Sequence, residues 1–170
     1  SGDFYSEEWQ LAVCDAISSN QQDKLEALLG SGLNDVNSVG RDGMTFVYWA
    51  YLEDNFEAFK FLLRNGASPD VKIRSELNVP SSMTRTKNQS VLLHAYPNRI
   101  ARPGFFEFGI GFTHEPNSRY PNGDTLAHYC AKNAMSKSDL SLLMKIISTG
   151  VDLNAKNDRD ETACHLTIDH

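Results

Sequence analysis

Two histidine–cysteine pairings are the first places in this chain where side-chain types suggest chemistry: His128 with Cys130, and Cys164 with His165. Imidazole and thiolate are both zinc ligands, and a thiol beside an imidazole can serve as a nucleophile. The spacing works against either use. On a helix, residues one or two positions apart do not face each other, so neither pair converges on one ion or one proton. Cys14 makes the cysteine count odd, and no short metal-type spacing joins the three. Buried thiols acting as small apolar groups are the expectation, not a disulfide framework. Asp158 and Asp160 are a candidate carboxylate pair, but they fall in an expected turn, where Asp is favoured for backbone reasons. The chain holds no G-x-S-x-G, P-loop, H-E-x-x-H or G-x-G-x-x-G; Gly109-Ile110-Gly111 lacks the third glycine and the strand context. The expectation is no catalytic residue, no metal ligand and no cofactor, and so not an enzyme.

The elements that would position these residues repeat. From Arg41 to Asp70 the chain reads as a charged turn, an apolar run from Met44 to Leu52, and a polar break at Glu53-Asp54-Asn55. Phe56, Phe59, Leu62 and Leu63 then recur at helical spacing until Asn65-Gly66 ends the run. Neither helix can bury its apolar face alone, so copies are needed alongside. The ending "two apolar residues, two others, Gly" occurs at Leu28-Leu29 before Gly32, Leu62-Leu63 before Gly66, and Ile146-Ile147 before Gly150, with a weaker copy at Phe105-Phe106 before Gly109. A polar turn follows each glycine. The same interval then separates Asn37 from Thr45, Asn117 from Thr125 and Asn154 from Thr162.

On these residues the chain resembles the ankyrin-repeat family. The pattern is carried by Asp42-Gly43-Met44-Thr45, by Gly123-Asp124-Thr125-Leu126-Ala127-His128, by Gly66-Ala67-Ser68-Pro69-Asp70 and by Gly150-Val151-Asp152-Leu153-Asn154-Ala155. The resemblance runs from about Glu8 to the end of the sequence. It departs where the family places proline after the helix-opening Thr, since Phe46, Leu126 and Ala163 stand there. It implies an all-α solenoid of about four and a half repeats with short β-hairpin fingers. The repeats fall at about 8–40, 41–72, 86–120 and 121–157, with a partial one at 158–170, in a single domain over 1–170. It also implies structural roles for His128 and His165, each three residues past such a Thr. The run from Gly43 to Asp70 is similar, more narrowly, to bacterial ankyrin-type immunity proteins paired with secreted type VI effectors of the phospholipase class. That implies a protein partner whose active-site entrance is occluded, a periplasmic location in that case and a cytoplasmic one otherwise, and a monomer when free. The rival expectation is a scaffold or host-directed effector module that recruits a partner without inhibiting it.

Composition bounds these readings. The 170 residues carry a net charge of −6, which argues against nucleic acid as a partner. No apolar run is long enough to span a membrane. The charge is uneven: residues 1–71 are strongly acidic and residues 72–119 basic, a pattern that suits either steering of a polar protein partner or simply a solvated surface. Residues 1–7 read as a poorly ordered lead-in. An insertion at about 73–85, basic through Lys72, Arg74, Arg85 and Lys87, interrupts the second turn. Pro97 and Arg102-Pro103-Gly104 weaken the third repeat, leaving a short outer helix at Phe105–Gly109. The fourth repeat's outer helix is expected from Leu140 to Ser148, capped by Ser138 or Asp139, and the fifth supplies one helix.

In the family geometry, the position four past each helix-opening residue faces a groove. It is occupied by Asp15, Trp49, His94, Tyr129 and Leu166. Trp49, His94 and Tyr129 would either form an aromatic ladder with exposed area for a partner to cover or pack sideways between helices as ordinary core. Arg41, Arg74, Arg85, Arg119, Tyr120 and Lys156 are expected on the loops flanking it.

Overall fold

The computed structural model describes residues 2–76, 87–133 and 137–167, with the side chains of residues 133, 137–140 and 167 outside that description. It contains eight α-helices: α1 (Glu8–Ser18), α2 (Gln22–Leu29), α3 (Phe46–Leu52), α4 (Phe56–Arg64), α5 (Val91–Ala95), α6 (Phe105–Gly109), α7 (Leu126–Asn133) and α8 (Lys137–Ser148). Three 3₁₀ turns accompany them, the last at His165–Thr167, where a full helix was expected. The chain clusters into two compact units, residues 1–112 and 113–170.

The all-α expectation fits only in part, because the β-hairpin fingers are not formed. Among the described residues there is no strand, only two isolated antiparallel bridges, Val39 to Thr45 and Arg119 to Thr125. The reason is local. The two arms of each turn are joined by a single backbone hydrogen bond, from Gly40 N–H to Met44 O (2.8 Å), Tyr120 N–H to Asp124 O (2.8 Å) and Asn157 N–H to Glu161 O (2.9 Å). The next residue is the Thr that opens the following helix or 3₁₀ turn, so the returning arm is spent before a ladder can start. Gly43 and Gly123 close the first two turns at φ 83° and 76°. A side chain at Gly43 would strike the carbonyl of Lys72.

The insertion enters at the same place. Ile73 N–H donates to Gln89 O (3.0 Å) and Asn88 N–H to Ile73 O (2.7 Å), so a buried Ile73 pins its base. Residues 77–86, including Arg85, lie outside the described residues.

In the first unit the helices form two layers. α1, α3 and α5 pack in sequence as one layer, and α2, α4 and α6 as the other. Helix starts repeat the same capping chemistry. Thr45 Oγ accepts from Tyr48 N–H at 3.2 Å, Ser90 Oγ from Leu93 N–H at 3.4 Å, and Asn55 Oδ1 from Ala58 N–H at 3.0 Å. On α4 the buried set is Ala58, Phe59, Leu62 and Leu63; of the stripe read from the sequence, Phe59, Leu62 and Leu63 are buried and Phe56 is half-buried. Burying each such Phe or Leu contributes about 1.5–3 kcal/mol.

Phe105, from the short helix α6, lies 5.0 Å from both Phe56 and Phe59 and 5.3 Å from Tyr51, ring centre to ring centre. The third helix pair is therefore short yet filled by aromatic rings. Arg102 ties it back to α3: its guanidinium donates to Tyr51 O and to Leu52 O and sits over the Tyr51 ring.

The lead-in is also packed. Tyr5 is buried, stacks on Phe46 at 5.0 Å and donates from its hydroxyl to Met44 O at 3.0 Å, while Arg41 N–H donates to Phe4 O at 2.8 Å. Two aromatic rings and two long-range hydrogen bonds hold a segment that its polar neighbours made look loose.

In the second unit α7 packs on α8 and on the 3₁₀ turn at His165–Thr167. α8 begins at Lys137, earlier than the expected Leu140, so Ser138 and Asp139 fall inside it.

Candidate functional site

The sequence placed Trp49 and Tyr129 at one register, and the backbone does the same. Trp49 N–H donates to Thr45 O at 2.9 Å and Tyr129 N–H to Thr125 O at 3.2 Å, so each ring leaves its helix one turn past the opening threonine. Both residues are partly exposed. Trp49 Nε1–H donates to Ser18 Oγ at 3.1 Å, and the Phe4 ring lies 6.2 Å away. Tyr129 leans on Tyr120 at 4.1 Å and has Lys132 Nζ 5.6 Å from its ring centre. Burial, then the charge of Asp124, raise the Tyr129 hydroxyl above the usual phenol range.

The other proposed rungs are different. His94 is 1% exposed, packed among Tyr48 and Tyr51, with Nδ1 2.8 Å from the Tyr48 hydroxyl. It is core, and offers no face to a partner. Helix α5 is only five residues long and drawn inward by its buried neighbours Leu92, Leu93 and Ala95. Leu166 is buried as well, since the chain there makes a 3₁₀ turn and not the helix whose register was used. Asp15 is exposed and paired with Lys24 at 2.8 Å.

Of the loop residues, Arg41 and Arg74 are exposed, and their backbone N–H groups donate to Phe4 O and to Asp42 O (2.6 Å). Arg119 is exposed and works within the second unit: its guanidinium donates to Gly123 O at 3.0 Å and to Lys156 O at 2.6 Å, joining two turns. Lys156 is exposed and pairs with Asp160 at 2.9 Å. Tyr120 is buried, because its ring closes over the turn beneath Tyr129.

In this geometry the two histidines fasten turns. His128 Nδ1 accepts from both the N–H (3.1 Å) and the hydroxyl (2.9 Å) of Thr125, which leaves Nε2–H to donate to Glu161 O at 2.9 Å. Both ring nitrogens are used in fastening one turn to the next. His165 Nδ1 repeats the first half with Thr162, at 3.0 and 2.9 Å. Among the described residues no three His, Cys, Asp or Glu side chains converge as metal ligands. Cys14 and Cys130 are buried and Cys164 is exposed; burial pushes the Cys14 thiol up to about 12, far from a reactive thiolate.

Two features were not read from the sequence. Asp124 is fully buried and accepts from Lys132 Nζ (2.7 Å), Asn122 Nδ2 (2.8 Å) and Asn157 Nδ2 (2.8 Å). Burial alone would raise its carboxyl, but the Lys132 and Asn157 hydrogen bonds outweigh that and hold it below the usual range. The second is a notch of about 320 Å³ between the end of α1 and the α3–α4 turn, lined by Ser18, Asn20, Glu53, Asp54 and Asn55 among others. The four-residue spacing from Trp49 to Glu53 was a usable signal for it; the closing partner, Asn20, was not.

No protein-family model matches the sequence, and no curated protein matches it either. Among the described residues no helix is long and apolar enough to cross a membrane.

Proposed function

We propose that this chain is a non-enzymatic protein-binding module whose contact residues centre on Trp49 in the first unit and Tyr129 in the second. One observation carries the reading: the two rings leave their helices at the same step past a threonine, and both stay partly open while held by neighbours. A large aromatic that is already fixed loses little side-chain freedom when a partner covers it, which is the economy that binding hot spots use. The polar ends, the indole N–H on Ser18 and the Tyr129 hydroxyl hydrogen-bonded to Asn122, keep these rings soluble when uncovered.

The likeness to ankyrin-repeat immunity proteins supplies the narrower form of the proposal: the partner is a secreted antibacterial effector of the phospholipase class, and binding blocks its active-site entrance. The test is to place a photo-crosslinking phenylalanine analogue at Ser18, beside Trp49, and at exposed Leu33 as a control. The proposal requires a single crosslinked protein from Ser18 and none from Leu33. Equal yields from both positions would overturn it. Inhibition of the crosslinked protein's own activity separates an immunity role from recruitment by a scaffold.

A further inference from the structure

The Trp49 face carries more than an aromatic anchor. Ser18, which accepts the indole N–H, also lines the notch, and Glu53 lies one turn beyond Trp49 on α3 and lines it too. Anchor and notch are one surface. The charged side chains that line the notch, Glu53, Asp54 and Glu57, are all acidic. Asp15 is paired with Lys24 and Glu57 with Lys60, but among the described residues Glu53 and Asp54 form no ion pair, and both are exposed. Helix α1 ends here with no basic residue in its last turn, so its carbonyl end adds negative potential, whereas the last α3 carbonyls, Tyr51 O and Leu52 O, are already capped by Arg102. The N-terminus of α4 also meets the notch, but the Asn55 cap and Glu57 already answer it.

We propose that this face docks a basic segment of the partner protein, with a lysine or, better, arginine side chain lying along Trp49 and its cationic head between Glu53 and Asp54. The inference rests on the protein-binding reading and names the chemistry of the partner. Charge complementarity makes the assignment: a guanidinium can stack on an indole and be satisfied by two carboxylates at once, whereas an acidic or purely apolar segment would leave both carboxylates facing like charge or losing water. At about 320 Å³ the notch has room for one such head group and its hydrogen-bonded water.

The experiment titrates the full chain, labelled for amide and indole NMR, with N-acetyl tetra-arginine amide and with tetra-glutamate as control. Expected is a single saturating curve shared by the Trp49 indole N–H and the amides of Ser18, Asn20, Glu53 and Asp54, with no response to tetra-glutamate. The double variant Glu53→Gln, Asp54→Asn should weaken tetra-arginine at least fivefold. It should fold normally, since both sites are exposed and Asn is at ease at the φ of 57° that Asp54 adopts. Shifts of equal size at Asp23 and Glu26, or an undiminished response in the double variant, would overturn the inference. Such a failure leaves the Ser18 crosslinking result untouched, so the two readings fall separately.

Discussion

Tyr48 and His94 meet hydroxyl to Nδ1 at 2.8 Å inside the first unit, with both side chains buried. The histidine is held neutral there: burial, and then the nearby Arg102 charge, lower its pKa from 6.5 to about 4. The unfolded chain takes up the proton first as pH falls. The folded state therefore keeps its full advantage above about pH 6.5 and loses it progressively down to about pH 4, by about 3 kcal/mol in all. Urea unfolding at pH 7.5 and 4.5 should show this loss in the parent and much less of it in His94→Gln, which keeps an acceptor but does not titrate. Equal pH slopes for the two proteins would mean that His94 is not sealed in the core.

Arg102 lies in the stretch that proline and glycine made look irregular, yet it caps two carbonyls of α3 and covers Tyr51. Arg102→Ala should lower stability by about 1–3 kcal/mol, from charge-assisted hydrogen bonds and a partly buried cation–ring contact. Arg102→Lys should recover less than half of that, because a compact ammonium cannot span both carbonyls while lying flat on the ring. Thermal melts of the three proteins check the ordering.

How much of this was legible follows from how local each signal is. Thr45, Ser90 and Asn55 cap helices within four residues of themselves, and the Leu62-Leu63 stripe is a one-helix pattern, so both could be read from the chain. Asn37 tied to Gly66 O and Ser68 N–H, and Asn117 tied to Asp152 N–H, gave the repeating Asn-to-Thr interval its physical meaning. The β-hairpin fingers failed because the family pattern describes the turn and not the length of the arms beside it. His94 failed for a related reason. Its register predicted a direction, but whether that direction is open depends on Tyr48, Tyr51 and Arg102, which reach it from far along the sequence. Trp49 and Tyr129 sat at the same register and remained partly open.

Asp124 is the corresponding test in the second unit. Its carboxylate accepts three side-chain hydrogen bonds, and Lys132 keeps some solvent contact. Asp124→Ala should cost about 2–3 kcal/mol, by leaving one N–H of the buried Asn157 without its acceptor and by removing the partner of a partly buried lysine. In the parent this contribution is present above the ordinary carboxylate range and fades as pH falls through the lowered pKa. Hydrogen exchange should show the loss in α7 amides first.

If Trp49 and Tyr129 face a protein partner, the double variant Trp49→Ala, Tyr129→Ala must lose affinity for the crosslinked protein. Each ring is partly buried, so truncation of both should lower stability by a modest amount, about 1–3 kcal/mol, and leave the fold in place. Calorimetric titration of the folded variant should give a dissociation constant at least tenfold weaker than the parent's. An unchanged dissociation constant in a folded variant would mean that the two rings do not contact the partner.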